Sequence, residues 1–234
     1  MATPRERART QTMREIVEIG RRHLAEQGAA ALSLRAIARE LGVVSSAVYR
    51  YVKSRDELIT LLVVEGYDEL GDAVDAAVAA VSAGRHRERF LAAGRAVRAW
   101  ALAEPAMYAL LYGGPVPGYA APEERTTGPG TRVAGTLLQI LSEAHAAGRL
   151  HPAPVSRVSR PLAASLAGIR SQLDHDLPQT ALVRAVLAWT DLFGAVSFEV
   201  FGQYGPDRFG DPDALFELHL GSLAEGLGLH AGRA

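Results

Sequence analysis

The stretch LSLRAIARELGVVSSAVYRYVKSRDELI, residues 32–59, decides the fold, because it sets two short amphipathic segments around one glycine and then opens a third. Ser33 can cap a first helix in which Leu34, Ile37, Ala38 and Leu41 recur on one buried face. Gly42 stops that helix and supplies the positive φ that a sharp turn between two helices needs. A second helix follows, with Val44, Val48 and Val52 four residues apart on its inner face and Ser45, Ser46, Tyr49, Arg50 and Lys53 on the other. Helix, glycine turn and short helix in this order read as a helix-turn-helix. Its polar face suits DNA, since hydroxyls can approach base edges, Tyr49 and Lys53 can meet phosphates, and Arg50 can pair with phosphate or with guanine.

These residues also carry a resemblance. LSLRAIARELGV followed by SSAVYRYVKSRDELI resembles the DNA-binding domain of TetR-family transcriptional regulators over about residues 10–65, with the Gly-Val turn, the tyrosine and Lys-Ser in register. Two positions depart from the family pattern: Val44 stands where a capping Ser or Thr is usual, leaving Ser45 or Ser46 to serve, and Val52 replaces a Phe. The resemblance implies DNA contacts among Ser33, Arg35, Ser45, Ser46, Ala47, Tyr49, Arg50, Tyr51 and Lys53, a double-stranded DNA operator, a small-molecule effector and a homodimer.

Working outward, residues 10–27 give a helix, through Met13, Ile16, Val17 and Leu24, that ends at Gly28 and covers the pair. The arginine-bearing residues 1–9 are open between a DNA-following arm and a solvated terminus. Ser54 and Glu57 form a capping box for a long helix whose N-terminal end, beside Lys53, can face a phosphate. A boundary at residue 55 then divides a helix-turn-helix domain, 1–55, from a helical effector-binding and dimerisation domain, 56–234.

Charge follows the same division. The chain carries −1 overall, but residues 1–60 hold 11 Arg and Lys against 7 Asp and Glu while the remainder holds 14 against 19, so the DNA end is the basic end. The 234 residues, 48% hydrophobic and 22% charged, are enough to bury a core, and with no cysteine there is no disulfide, thiolate metal site or cysteine nucleophile. No run approaches the roughly 18 apolar residues of a membrane span, and MATPRERART lacks a signal-peptide core, so a cytoplasmic location is expected.

Beyond the long helix, Phe90, Ala93, Val97 and Trp100 mark a helix, AMYALLY a short one, and residues 113–130 a Gly- and Pro-rich loop that should not be regular. Trp100, Tyr108 and Tyr112 are candidate effector contacts, with plain core packing the equal alternative. Residues 159–173 and 180–203 give the most apolar helices. In the first, Leu162, Leu166, Ile169 and Leu173 line one face beside Ala164, Gly168 and Ser171; the second is apolar over so much of its circumference that it must be buried on two sides. A partner subunit is the second surface, with Leu166, Gly168, Trp189, Phe193, Gly194 and Phe201 as candidates. No strand alternation occurs, so the fold class is all-α.

An all-helical enzyme and a constitutive DNA-binding protein without effector are the alternatives. His145 and His151 lack metal spacing, Asp174, His175 and Asp176 fall in a loop, and no phosphate-binding glycine loop is present, so no catalytic residue, metal or cofactor is expected.

Overall fold

The computed structural model describes residues 3–173, 176–205 and 209–230, and among these the chain is helical without strands. Asp174 and His175 lie outside the described residues, as do the side chains of Ser171 and Leu173. The helices are α1 (Pro4–Gln27), α2 (Leu34–Glu40), α3 (Ser45–Val48), α4 (Arg55–Ala79), α5 (His86–Ala103), α6 (Pro105–Tyr112), α7 (Glu123–Gly130), α8 (Arg132–Ala146), α9 (Arg160–Leu173), α10 (Gln179–Val200) and α11 (Pro212–Leu227), with a 3₁₀ turn at Ala29–Ala31. Two compact units result: Met1–Glu69 with Ala103–Gly130, and Leu70–Leu102 with Thr131–Ala234. The boundary drawn at residue 55 falls inside the first unit, because the start of α4 and all of α6 and α7 pack with the N-terminal helices.

In the first unit α1 begins at Pro4, earlier than periodicity placed it. Thr3 and Glu6 form a capping box there, so Arg5, Arg7 and Arg9 ride on a helix and are no extended arm. Gly28 ends α1 at φ 76°. Ile16, Leu24, Leu34, Ile37, Ala38, Val48, Val52 and Leu58 make the core beneath the turn. Gly20 lets α4 come close, since a β-carbon there would lie 3.1 Å from Leu58 Cδ1. Residues 123–130, expected to be irregular, form α7: Glu123 and Glu124 sit in its favourable first turn, Pro122 accepts the Thr126 N–H and hydroxyl, and Pro129 comes late enough to spare most of the ladder.

The second unit is built on α5, α8, α10 and α11, whose Val97, Ile140, Leu192, Val196 and Leu220 are fully buried. A β-carbon at Gly94 would overlap the Leu220 side chain, so glycine sets the approach of α5 and α11. Carboxylates lock three arginines of this unit. Arg98 grips Glu199 through both oxygens at 2.6 and 2.7 Å and reaches Asp213 at 2.7 Å; Arg132 joins Asp72 at 2.6 Å and Asp75 at 2.8 Å; Arg89 pairs with Glu143.

Helix α10 is long and apolar enough to cross a membrane, a property the residue-by-residue reading had missed. Its chemistry is that of a packed helix. Ala181, Leu182, Ala188, Leu192, Phe193 and Val196 are buried inside the unit, while Arg184 donates to the carbonyls of Ala153 and Pro154 at 2.9 and 2.6 Å. Val186, Leu187 and Phe198 face outward, each about half exposed. On α9, Leu162 and Ile169 are exposed as well, although Leu166 between them is buried. Leu166 and Phe193 thus belong to the interior of the chain, and the stripes read from spacing are divided differently by the packing.

Candidate nucleic-acid interface

The site is assembled by three local devices. Ser33 Oγ accepts the Ala36 N–H at 3.4 Å and starts α2, so its hydroxyl serves the helix. Gly42, at φ 67°, turns the chain into α3. Ser54 Oγ accepts the Glu57 N–H at 3.0 Å and starts α4, but Glu57 reaches past the cap to accept the Lys53 N–H at 2.6 Å. That carboxylate occupies the beginning of α4, while the Lys53 side chain beside it is exposed.

Two expectations about α3 fail for one reason. The helix is a single turn, Ser45–Val48, and Val44 is its N-cap, so neither Ser45 nor Ser46 caps it and no side chain does. Val44 therefore points out, 71% exposed, while Val48 and Val52 alone carry the inner face at 1% and 0%. Tyr49 and Arg50 lie in the turn after α3. A short helix running into a turn changes the register that a four-residue spacing presumes.

The outward surface nonetheless gathers the predicted residues. Arg35, Ser46, Tyr49, Arg50 and Lys53 are exposed; Ser45, Ala47 and Tyr51 are half-buried. Arg9 of α1 stacks over the Tyr51 ring, 5.5 Å from its centre, and fixes that side chain. No ion pair occupies Arg35, Arg50 or Lys53 among the described residues, whereas nearby Arg22 and His23 are tied to Glu40 at the end of α2. Glu40 is held below the ordinary carboxylate range by its hydrogen bonds with His23 and Arg22. The arrangement sorts cations into those that brace α1 on α2 and those without an ion-pair partner among the described residues.

This geometry agrees with the comparisons. The pattern of the bacterial regulatory proteins of the tetR family matches residues 12–62, and that of the tetracyclin repressor-like C-terminal domain matches residues 90–223. The chain belongs to the TetR family. An HTH-type transcriptional regulator of Mycobacterium tuberculosis is 45% identical over 223 residues, covering 95% of each chain. Among solved structures, a regulatory protein 36% identical superposes with a TM-score of 0.77 over 95% of this chain and 100% of that one. A tetR family transcription regulator from Shewanella, 18% identical, shares the fold with a TM-score of 0.58 over 90% of this chain and 96% of that one. The protein is a TetR-family DNA-binding transcriptional regulator, and such regulators typically dimerise.

The candidate effector residues separate between the units. In the first, Tyr108 is fully buried and its ring lies 5.1 Å from that of Tyr112, which meets Tyr67 edge-on at 6.1 Å. Burial pushes the Tyr112 hydroxyl well above the ordinary phenol value and raises that of Tyr67. Tyr67 had been passed over, because a tyrosine in the middle of a long helix carries no local signal. So had Glu65, whose Oε2 is buried without a partner and whose carboxyl is pushed up, first by burial and then by Glu69. Trp100 belongs to the second unit, where it is buried with no acceptor for its indole N–H among the described residues.

Helix α6 carries Tyr108 and Tyr112 and packs against α1. Arg21 of α1 pairs with Glu104, the residue that opens α6, at 3.0 Å, and with Glu69 of α4. The DNA-binding helices are therefore held by α6 as well as by α4.

Proposed function

We propose that two copies of the chain form a repressor of a palindromic operator, released when a small hydrophobic effector binds. The observation that carries this reading is the exposed set Arg35, Arg50 and Lys53, cations without carboxylate partners among the described residues, around the turn of a helix-turn-helix. Arg50 is assigned to a guanine or a phosphate, Tyr49, Lys53 and Arg35 to phosphates, and Ser45, Ser46 and Ala47 to base edges, with Tyr51 positioning them. A chromosomal operator puts this action in the cytoplasm.

The dimer surface is proposed on the outer face of α9 and α10: Leu162, Ile169, Val186, Leu187, Phe198 and Phe201, with Trp189 half-buried behind it. An apolar face this continuous supports a protein partner. At Gly168 and Gly194 a β-carbon would meet nothing within 4 Å, which leaves space for close helix approach. Gly168→Arg and Gly194→Arg should then fold as single chains yet sediment as monomers, and unchanged dimers in both would move the interface elsewhere. Two-fold pairing requires recognition elements about 34 Å apart and thus a symmetric site. Selection of bound DNA from random sequence tests this, and a non-symmetric preferred site rejects it.

For the effector we propose contact with Tyr108 and Tyr112, joined by Tyr67, because their rings and hydroxyl tips suit an apolar molecule with few polar groups. The buried Glu65 Oε2, without a partner among the described residues, supports a ligand that brings one polar group to it. A ligand that displaces α6 acts on α1 through their packing and the Arg21–Glu104 pair, and a differential affinity of about 1–3 kcal/mol suffices for typical coupling. Tyr112→Ala should change the potency of compounds that release DNA; potency indifferent to Tyr67, Tyr108 and Tyr112 variants would favour a constitutive DNA-binding protein or an effector bound elsewhere.

A further inference from the structure

In the second unit, three segments distant in sequence enclose an open cavity of about 460 Å³, in the size class of small-ligand sites. They are the entry to α5, the exit from α8 and the exit from α11. Arg85, His86 and Arg87 come from the first, Arg149 and His151 from the second, His230 from the third. The scaffold is tied together by backbone. Arg149 Nη1 donates to the Gly84 carbonyl at 3.1 Å, and the His151 N–H donates to the Gly228 carbonyl at 3.2 Å. Glycines at φ 65° and 83°, Gly148 and Gly228, turn α8 and α11 toward it.

The cavity holds more positive charge than its neighbours neutralise. Arg149 has only that neutral carbonyl as partner among the described residues. Arg87 meets Glu225 at a loose 3.7 Å and leaves its Nε buried without a partner. Arg85 reaches Glu88 at 3.3 Å but is 62% exposed. His86 is 8% exposed, lines the cavity and makes no hydrogen bond among the described residues. Glu88, the one acidic lining residue, is held below its ordinary range first by its own backbone N–H and then by Arg85, so its charge is spent on the start of α5. No three His, Asp or Glu side chains are grouped for a metal among the described residues, so a metal does not explain the imidazoles.

We propose that this cavity binds a small molecule through a phosphate group, held by Arg87 and Arg149 with His86 as an additional donor. Guanidinium forks match phosphate oxygens, and a concave site of this size holds a free small phosphate better than the backbone of a duplex. The site is distinct from the residues assigned to DNA.

The proposal fixes a pH dependence. His86 faces Glu88 and Arg89 on its own helix, Glu143 from α8 and Arg149 beyond it, with Arg85, Arg87, His151 and His230 around the same cavity. Burial lowers its imidazole pKa from 6.5. A bound phosphate favours the imidazolium and raises that value, so the contribution of His86 to affinity grows as pH falls through the window between the bound and free pKa values, while protonation of the phosphate near neutral pH works against it.

The test titrates the full-length protein with inorganic phosphate while following histidine ring signals by NMR, at about pH 6 and about pH 8. The proposal expects saturable shifts, a larger loss of affinity in His86→Gln at the lower pH than at the higher, since the phosphate's own protonation acts equally on both proteins, and a loss of about ten-fold in Arg149→Gln and in Arg87→Gln, as befits loss of a charge-assisted contact. Arg85→Gln, at an exposed position that cannot endanger folding, should weaken binding less. Lys53→Ala and Arg50→Ala should leave phosphate binding unchanged while weakening DNA binding. Shifts that never saturate overturn the proposal, as do shifts that Arg149→Gln and Arg85→Gln leave intact; phosphate affinity lost with Lys53→Ala would assign the anion to the DNA face instead.

Discussion

Two arginines, Arg98 in the second unit and Arg50 in the first, do opposite work. Arg98 in the second is 14% exposed, held by both oxygens of Glu199, by Asp213, and stacked on Phe216 with 5.0 Å to the ring centre. Its guanidinium is pushed to a still higher pKa, chiefly by the hydrogen bond with Glu199. Arg50 in the first stands exposed beside the helix-turn-helix with no such partner. The one is part of how the unit holds together; the other leaves its hydrogen-bonding capacity for something outside the chain. Composition counts them equally, and only the structure separates the paired cations from those without an ion-pair partner among the described residues.

The largest expected effect tests the locked side. Arg98→Ala should destabilise the protein by about 2–4 kcal/mol in urea unfolding, because it strands a mostly buried Glu199. A loss under about 0.5 kcal/mol, the range of ordinary surface substitutions, would erase the distinction. Arg50→Ala should do the reverse, keeping stability within that range while weakening operator binding by about 1–3 kcal/mol. Lys53→Ala should weaken all DNA sequences alike and reduce the salt slope by about 1. Equal binding by both variants would mean that the free cations have another use.

A smaller effect concerns the uncapped α3. Val44→Thr supplies an oxygen to a helix start that lacks one and removes a largely exposed valine, so stability should rise by about 0.5–1 kcal/mol. No gain would show that the turn after Gly42 holds the cap position in a geometry that a side chain cannot use.

The smallest is the exposed pair Arg95–Glu217, whose side chains are 51% and 46% exposed. Hydrogen bonding to Arg95 holds the Glu217 carboxyl below its ordinary 4.5. A depressed carboxyl stabilises the fold above the unfolded-state value and loses that contribution as pH falls through the folded one, so the decline begins near pH 4.5. Solvent screening keeps it to under about 1 kcal/mol. Arg95→Ala should flatten the stability profile below that pH; an unchanged profile assigns acid lability to the more buried pairs.

The local devices were legible because each depends on a few adjacent residues. Ser33, Gly42 and Ser54 have their chemistry in their own neighbourhood, and the helices α9 and α10 fall within a few residues of where apolar spacing put them. Tyr67 was illegible for the opposite reason: it gains meaning only where α4 meets α6. The α7 segment was misread because its glycines and Pro129 outweighed the acidic first turn that starts the helix.

By itself the sequence determined an all-helical chain, a helix-turn-helix with a basic outward face and a resemblance to TetR regulators, since turn chemistry, capping and helical period are short-range properties. Only the tertiary structure decided that Val44 faces outward, that Leu166 and Phe193 are interior while Leu187 and Phe201 are not, and that Arg87, Arg149 and His230 share one cavity. The physical reason is that a 3.6-residue period defines stripes on a helix but not which stripe meets which neighbour. Ion-pair partners likewise lie as far apart as Arg95 and Glu217, and only packing brings such residues within reach.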